Sequence, residues 1–299
     1  MHVFVTGASG FVGSAVVREL IDAGHMVTGL ARSDQAAAAL MAAGAAVHRG
    51  ALDDPDSLRR GAAAADGVIH AAFIHNYADL TAAGETDRLA IGAMGAELAG
   101  SGRSLVVTSV IGHLTPGQLA TEDTAPDPDA SVKHRAGSEE AALALASEGV
   151  RVSVLRLPLS VHGDGDTGFV PGLIQLARRT GISAYVGNGL NRWPAVHRLD
   201  AARLYRLALE GAPAGTILHA TGDEGVPLVE IAGVIARRLG LPAASIPVKE
   251  AAEHFGWLAH FVSLDIPASS DKTRALLGWQ PVHPALLADL NRDPYFCNE

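Results

Sequence analysis

The sequence predicts an α/β fold, in which a doubly wound parallel sheet is followed by a smaller C-terminal lobe. Three observations carry that reading. Short apolar runs alternate with amphipathic stretches through the first half of the chain. A glycine-rich segment lies between the first apolar run and the first amphipathic stretch. After Leu157-Pro158 the alternation breaks down, and helix-like stretches are separated by Gly and Pro. Short apolar strands with helices of about 10–15 residues between them imply parallel pairing, right-handed crossovers and a sheet covered on both faces.

Val3-Phe4-Val5 reads as the first strand. Ser14 to Ala23 is predicted as a helix, with Val16, Val17, Leu20 and Ile21 on one face and Gly24 as its stop. His25 to Leu30 is the second strand. Ala36 to Ala43 is a helix closed by Gly44, and Ala46-Val47-His48 is the third strand. Pro55 opens the next helix, because a helix start needs no N–H there. Gly67 to Ala72 is the fourth strand, Thr86 to Ala99 a helix, and Leu105 to Ser109 the fifth strand. Ser138 to Ser147 is a helix and Val152 to Arg156 the sixth strand. In the second half, Phe169 to Arg179, Leu199 to Glu210, Leu228 to Leu239, Lys249 to Phe255 and Ser270 to Leu277 read as helices.

Composition narrows the function classes. The chain has 299 residues, 48% apolar and 18% charged, which suits a packed core and not a disordered tail. The formal charge of −9 argues against binding nucleic acid or an anionic membrane. The 13 histidines make that acidity fade below about pH 6.5. A single cysteine, Cys297, permits no intrachain disulfide and no cysteine metal cluster. A reducing, cytoplasmic location is expected, with no signal peptide visible at Met1-His2-Val3. No apolar run approaches ~18 residues, so no membrane span is expected. No metal is expected either. The loop Gly163-Asp164-Gly165-Asp166-Thr167-Gly168 lacks the remaining ligands of a calcium loop, and no zinc-like ligand set occurs. No serine stands in a nucleophile elbow, which leaves a hydrolase unsupported.

The sharpest feature is Thr6-Gly7-Ala8-Ser9-Gly10-Phe11-Val12-Gly13, between the first strand and the first helix. Gly7 permits a tight turn. Gly10 lets backbone N–H groups approach a pyrophosphate, and Gly13 lets the helix pack on the sheet. The helix N-terminus then faces the phosphates. Gly7, Ser9, Gly10, Phe11 and Val12 are the expected phosphate-binding residues of a dinucleotide site. The spacing is GxxGxxG and not GxGxxG.

The second strand addresses which dinucleotide. An acidic residue about 20 positions on would hold the ribose 2′-hydroxyl of NAD. Here Ala31 stands in that place and Arg32-Ser33 follows. A guanidinium there can clamp a 2′-phosphate, with Ser33 as a further donor, so NADP(H) is expected. The bland alternative is a solvated Arg32, with Asp34 reaching the ribose.

With these residues in place, the chain resembles the short-chain dehydrogenase/reductase superfamily, in its extended, epimerase/dehydratase-like branch and its atypical subgroups. TGASGFVG matches the glycine motif. Leu52-Asp53 resembles the pair that flanks the adenine, and Ala71-Ala72-Phe73 the small residues that line the cofactor. Leu155-Arg156-Leu157-Pro158 with Val161-His162-Gly163 resembles the LRP…VYG segment, with His162 in place of Tyr. Arg192 to Ala202 is similar to R-x-x-x-V-H-x-x-D-x-A, and Lys272 with Leu277-Gly278-Trp279-Gln280-Pro281 to K…LGW-x-P. The resemblance implies a Rossmann domain with a small substrate lobe. It places the NADP-binding domain over 1–157 with returning segments near 191–223, and a mainly substrate-binding lobe over 158–299. It also implies Thr108, Leu157 and Pro158 as cofactor neighbours, a small-molecule substrate, and a homodimer as a family-level expectation.

One departure matters. The family relies on Tyr-x-x-x-Lys, in which Lys lowers the Tyr pKa and Tyr exchanges a proton with substrate. No tyrosine lies between Tyr77 and Tyr185. Depending on alignment, the pair becomes His134/Ser138 or Arg135/Glu139, with Arg135 a cofactor residue or an ion-pair partner of Glu139 or Glu140. The family Ser/Thr survives as Ser109 or Thr108. A replacement donor is sought in Tyr77, with His75 and Asn76 beside it, and in His134, His113 and His162. His75, Asn76, His113, His162, Phe169 and Trp193 are candidate substrate contacts, with the two aromatic residues also read as core or pocket wall. The leading expectation is an NADP-dependent oxidoreductase acting on a carbonyl or imine of a small organic substrate. The alternatives are a cofactor-recycling epimerase or dehydratase on a sugar-type substrate, and a non-catalytic NADP(H)-sensing protein. Arg192 and Arg198 could serve the pyrophosphate of a nucleotide sugar.

Overall fold

The computed structural model describes residues 1–75, 79–130 and 134–297. The first layer system runs β1 (His2–Thr6), α1 (Phe11–Asp22), β2 (Met26–Ala31), α2 (Asp34–Ala42), β3 (Ala46–Arg49), α3 (Pro55–Ala63), β4 (Gly67–His70), α4 (Leu80–Leu98), β5 (Ser104–Val110), α5 (His134–Ala144) and β6 (Arg151–Leu157). The second half adds β7 (Ser160–His162), α6 (Phe169–Thr180), β8 (Ser183–Val186), β9 (Arg192–His197), α7 (Arg198–Gly211), β10 (Thr216–His219), β11 (Asp223–Pro227), α8 (Leu228–Leu239) and β12 (Ala243–Ile246). Four short helices follow: α9 (Ala251–Phe255), α10 (Ala259–Val262), α11 (Asp271–Leu277) and α12 (Leu286–Leu290).

The main sheet has seven parallel strands in the order β10-β6-β5-β4-β1-β2-β3. Alternation along β1 sorts its side chains between two cores. Val3 and Val5 join α1, α2 and α7 on one face, with Leu20, Leu40, Leu204 and Leu209. Phe4 joins α3, α4 and α5 on the other, with Leu58, Ile91 and Met94. A separate core in the second half gathers Val170, Ile174, Trp193, Ile231, Ile235 and Phe255. It is framed by the small sheets β11-β9-β7 and β12-β8. Among the described residues, no helix is long and apolar enough to cross a membrane.

Several sequence expectations change. The seventh strand of the main sheet, β10, lies outside the strands expected from the sequence, but it falls within the returning segment expected near 191–223 and pairs with β6. The helix expected from Thr86 begins at Leu80, because the Asp79 side chain accepts from Ala82 N and caps it. The helix expected from Ser138 begins at His134, which puts His134 and Arg135 on its first turn. The stretch expected as one helix from Lys249 opens as a 3₁₀ turn, Val248–Glu250, before α9.

Two buried polar clusters tie the second half to the sheet. The Asp200 carboxylate, on α7, accepts from the backbone N–H groups of Val282 and His283, each at 3.0 Å, and lies 2.8 Å from His283 Nδ1. Trp279 Nε1 donates to the Asp200 carbonyl at 3.0 Å. At the sheet edge, the Arg156 guanidinium is fully buried and forks onto Glu139, with Nε donating at 3.0 Å. His113 and His219 lie against this pair, with His113 Nε2 3.4 Å from Glu139 and His219 Nε2 3.3 Å from Arg156. Glu122 accepts from Thr273 N and Oγ1 and draws in α11.

Two predictions follow from these clusters. Asp200→Ala removes a buried carboxylate that accepts from two backbone N–H groups and meets His283, while the Trp279 bond to the residue's carbonyl stays. Urea unfolding should show a loss of about 2–4 kcal/mol, and a loss under about 0.5 kcal/mol would discard the tether. The second prediction concerns acid. Burial, reinforced by Arg156 and Arg135 against the opposing pull of Glu139, pushes His113 down to about 4. Burial and Arg156 push His219 down as well. The unfolded chain takes up these protons first, near its ordinary value of about 6.5. Stability is therefore held above that pH and falls as pH drops from 6.5 towards 4. His113→Gln should flatten the decline by up to about 1.4 kcal/mol per pH unit; an unchanged slope in urea midpoints across that range refutes the assignment.

Candidate active site

The strand order reverses between β1 and β4, and their C-terminal ends open the crevice where such sheets bind ligands. The local geometry is set by close backbone contact. Gly7 has φ +67°, and a Cβ there would meet Ala72 N at 2.7 Å and the Ala71 carbonyl carbon at 2.8 Å. A Cβ on Gly13 would lie 2.0 Å from the Gly7 carbonyl oxygen. Only glycine lets α1 sit this close to the turn. Gly10 N donates to Gly7 O at 2.9 Å and precedes α1, whose N-terminus has no side-chain cap. Ser9 and Gly10 are exposed, and Phe11 and Val12 half-buried. An uncapped helix start in an exposed glycine turn leaves backbone N–H groups without side-chain acceptors, a geometry that fits the phosphates of a dinucleotide.

At the end of β2, Ala31 is buried and carries no acid, while Arg32 and Ser33 are exposed. Ser33 Oγ accepts from Ala36 N at 3.2 Å and caps α2. Asp34, the alternative ribose partner, is held by Arg49 at 2.6 Å. Leu52 packs on the α3–α5 side of the sheet, and Asp53 is exposed. Ala71, Ala72 and Phe73 are half-buried beside the glycine turn, Leu157 is half-buried at the end of β6, and Pro158 is buried.

Behind the crevice runs a buried hydrogen-bonded chain. Thr6 Oγ1 lies 2.8 Å from His70 Nδ1, and His70 Nε2 lies 3.0 Å from Asp87 Oδ1. Arg135 donates through Nη1 to Asp87 Oδ2 at 3.1 Å and through Nη2 to the Thr108 carbonyl at 2.5 Å. Thr108 Oγ1 donates to the His70 carbonyl at 2.8 Å and lies 2.6 Å from the Tyr205 hydroxyl. Burial opposes charge on Asp87, but His70 and Arg135 outweigh it and hold the carboxyl below its usual range. Arg135 therefore pairs with Asp87, 48 positions away, while Glu139 goes to Arg156. That corrects the expected pairing of Arg135 with Glu139 or Glu140.

Phe73 gathers the candidate polar groups. The Arg135 guanidinium lies 4.2 Å from its ring centroid. His134 stacks on the ring at 5.8 Å and 24°, and His75 meets it edge-on at 5.5 Å and 80°. Burial and then Arg135 lower the pKa of both histidines, which favours the neutral imidazole. A neutral imidazole still donates one N–H to a developing oxyanion. Ser109 follows Thr108 on β5, and its buried hydroxyl lies towards Glu139, whose charge it helps to stabilise. Thr108, by contrast, spends its hydroxyl inside the chain above. Asn76 and Tyr77 lie outside the described residues.

Other candidates sit elsewhere. His113 is buried in the Glu139–Arg156 cluster, and His162 is buried with Nδ1 2.9 Å from Asp289. Trp193 is fully buried and its Nε1 donates to the Phe261 carbonyl at 3.0 Å. Phe169 is half-buried and packs on Trp193 and Phe261, with centroids at 5.7 and 4.5 Å. The structure does not bring His113, His162 or Trp193 to the Phe73 cluster. In the core, Trp193 fills the role of wall and not of contact. Asp87 and Tyr205 were missed, since a lone acid or tyrosine inside a helix carries no local signal. Arg192 is clamped by Asp265, with Nε and Nη2 each donating at 2.9 Å.

Comparison with known proteins agrees with this architecture. Residues 3–219 match the NAD dependent epimerase/dehydratase family. An uncharacterised protein of Schizosaccharomyces pombe is 50% identical over 297 residues, covering 99% of this chain and 100% of that protein. A 2-alkyl-3-oxoalkanoate reductase of Stenotrophomonas maltophilia is 31% identical, covering 81% of this chain and 77% of the relative. Among solved structures, the dTDP-glucose 4,6-dehydratase DesIV of Streptomyces venezuelae, with NAD bound, superposes with a TM-score of 0.79 at 22% identity. That match covers 98% of this chain and 96% of the other. The likeness to the dehydratase is one of fold. With the glycine turn, the parallel sheet and a match over most of the chain in agreement, this protein belongs to the NAD dependent epimerase/dehydratase family.

Proposed function

We propose that this chain is an NADP-dependent oxidoreductase that reduces a carbonyl or imine of a small organic substrate without the usual Tyr-x-x-x-Lys pair. The observation that carries the reading is the end of β2. Ala31 offers no carboxylate for a ribose 2′-hydroxyl, Asp34 is occupied by Arg49, and the exposed Arg32 follows. A forked cation at that place suits a 2′-phosphate. The substrate class rests on Arg192. Its guanidinium is neutralised by a two-point bond to Asp265, so it is not at hand for the pyrophosphate of a nucleotide sugar. A relative named as an oxoalkanoate reductase is consistent with that choice.

The bound nicotinamide would supply hydride chemistry. Gly7, Ser9, Gly10, Phe11 and Val12 would hold its phosphates, and Arg32 and Ser33 the 2′-phosphate. Leu52, Asp53, Ala71, Ala72, Phe73, Thr108, Leu157 and Pro158 would line the rest. The chain's own work is to stabilise negative charge on the substrate oxygen and deliver a proton there. His134, neutral and stacked on Phe73, has an N–H to offer. Ser109 keeps the place of the usual Ser/Thr on β5, and Tyr77 is a phenol four positions after Phe73. His75 and Asn76 stand beside it as substrate contacts.

Purified protein should oxidise NADPH, followed by absorbance, with at least one member of a panel of aldehydes, ketones and cyclic imines. Arg32→Ala should weaken NADPH binding about 10-fold or more while leaving NADH within about twofold. An equal effect on both cofactors removes the NADP assignment. Bound cofactor that co-purifies and is never consumed would instead favour a recycling epimerase or dehydratase. Once a substrate is found, Tyr77→Phe and His134→Ala should separate the donor from its neighbour. The donor variant loses about 100-fold or more in kcat, and the other changes KM first.

A further inference from the structure

We propose that Arg198 is a pyrophosphate-binding residue of the dinucleotide site, a role that rests on the cofactor reading above. Arg198 is the first residue of α7, and its guanidinium lies 4.8 Å from the centroid of the Phe11 ring. Phe11 is the first residue of α1, the helix whose start has no side-chain cap. Arg198 Nη2 is 3.5 Å from Ser14 Oγ in the first turn of the same helix. The guanidinium thus stands beside the place where the glycine turn offers its backbone N–H groups.

Charge makes this placement informative. Arg135 has Asp87, Arg156 has Glu139, Arg192 has Asp265, and Arg206 has Glu19 and Glu210, while Arg103 and Arg151 spend their guanidinium N–H groups on backbone carbonyls. Among the described residues Arg198 makes no ion pair. Its Nη1 donates to the Asp164 carbonyl at 2.7 Å, and its Nε is buried without a partner. The cation also occupies the first turn of its own helix and faces the start of another, and both ends carry positive partial charge. Burial adds to the cost and lowers its pKa, and the nearby Asp164 charge, itself shared with Arg292, opposes this only in part. A cation held against two helix N-termini, with one N–H unspent, is favourable only when an anion shares the space. The phosphates expected at the glycine turn are that anion. The bond to Asp164 also fastens the Gly163–Gly168 loop to the same side chain, and a Cβ on Gly163 would lie 2.9 Å from Arg198 Cγ.

The test is a titration of the full chain with NADPH and, separately, NADH, read by fluorescence. Arg198→Ala should weaken both cofactors to a similar extent, about 10- to 100-fold, the range of a charge-assisted hydrogen bond. Arg198→Lys, which keeps the charge and loses the fork, should fall between it and wild type. The affinity of Arg198→Ala should also vary less steeply with KCl than that of wild type. Without cofactor, its thermal midpoint should be equal or higher, since an uncompensated cation has been removed; a purely structural role predicts a lower one. If Arg198→Ala does not fold, Arg198→Lys and Arg198→Gln carry the comparison. Binding of both cofactors within twofold of wild type overturns the proposal. So does a loss confined to NADPH, which would place Arg198 at the 2′-phosphate. Wild-type protein that binds neither cofactor defeats the underlying functional reading, and the proposal falls with it.

Discussion

The buried carboxylate of Asp87 holds the C-terminal end of the sheet together. It sits on α4, receives Arg135 from α5 and His70 from β4, and through them is linked to Thr6 on β1, Thr108 on β5 and Tyr205 on α7. One charge-assisted chain thus spans six elements at the edge where the ligand crevice opens. A buried ion pair contributes little beyond what an apolar replacement would, but breaking one side of it costs about 3–5 kcal/mol. Its value here is positional. It fixes the first turn of α5 relative to the turn after β4, and so sets where His134, Phe73 and His75 meet.

That arrangement also sets the chemistry of the first turn of α5. Arg135 stands on the first turn of α5, but it is neutralised by Asp87 and shielded by Phe73. A cation so committed sets the electrostatic background and does not itself exchange protons. Together with burial, it keeps His134 and His75 neutral, which suits hydrogen-bond donation better than proton release. The glycine turn is built by the opposite means. There the chemistry comes from bare backbone, and close contact between Gly13 and the Gly7 carbonyl takes the place of side-chain bonds.

The second half of the chain is bound to the first by polar contacts as well as by packing. Glu122 accepts from Thr273 on α11, and His219 on β10 lies against Arg156 on β6. Arg198 belongs to the same class of contact but makes no ion pair among the described residues. It joins the loop after β7 to the first helix. A ligand that answered its charge would therefore act on both halves at once.

Local pattern was enough to read the parallel sheet, the glycine turn, the absent acid at Ala31 and the missing tyrosine. Each depends on residues adjacent in sequence or on a strand period of two, and such features survive without knowledge of distant partners. Helix starts were read less well. The Asp79 cap and the early start of α5 lie in polar stretches with little apolar periodicity. The fate of each buried charge was invisible. Arg135 could pair with Glu139 one turn away, as helical spacing suggests, yet it pairs with Asp87 because α4 and α5 pack face to face. Arg192 read as a free cation until Asp265 was folded against it. Sequence by itself determined which backbone could bind a dinucleotide. Only the tertiary structure decided which cations were spent and which remained, because a buried charge takes its partner from whatever the fold brings within about 3 Å.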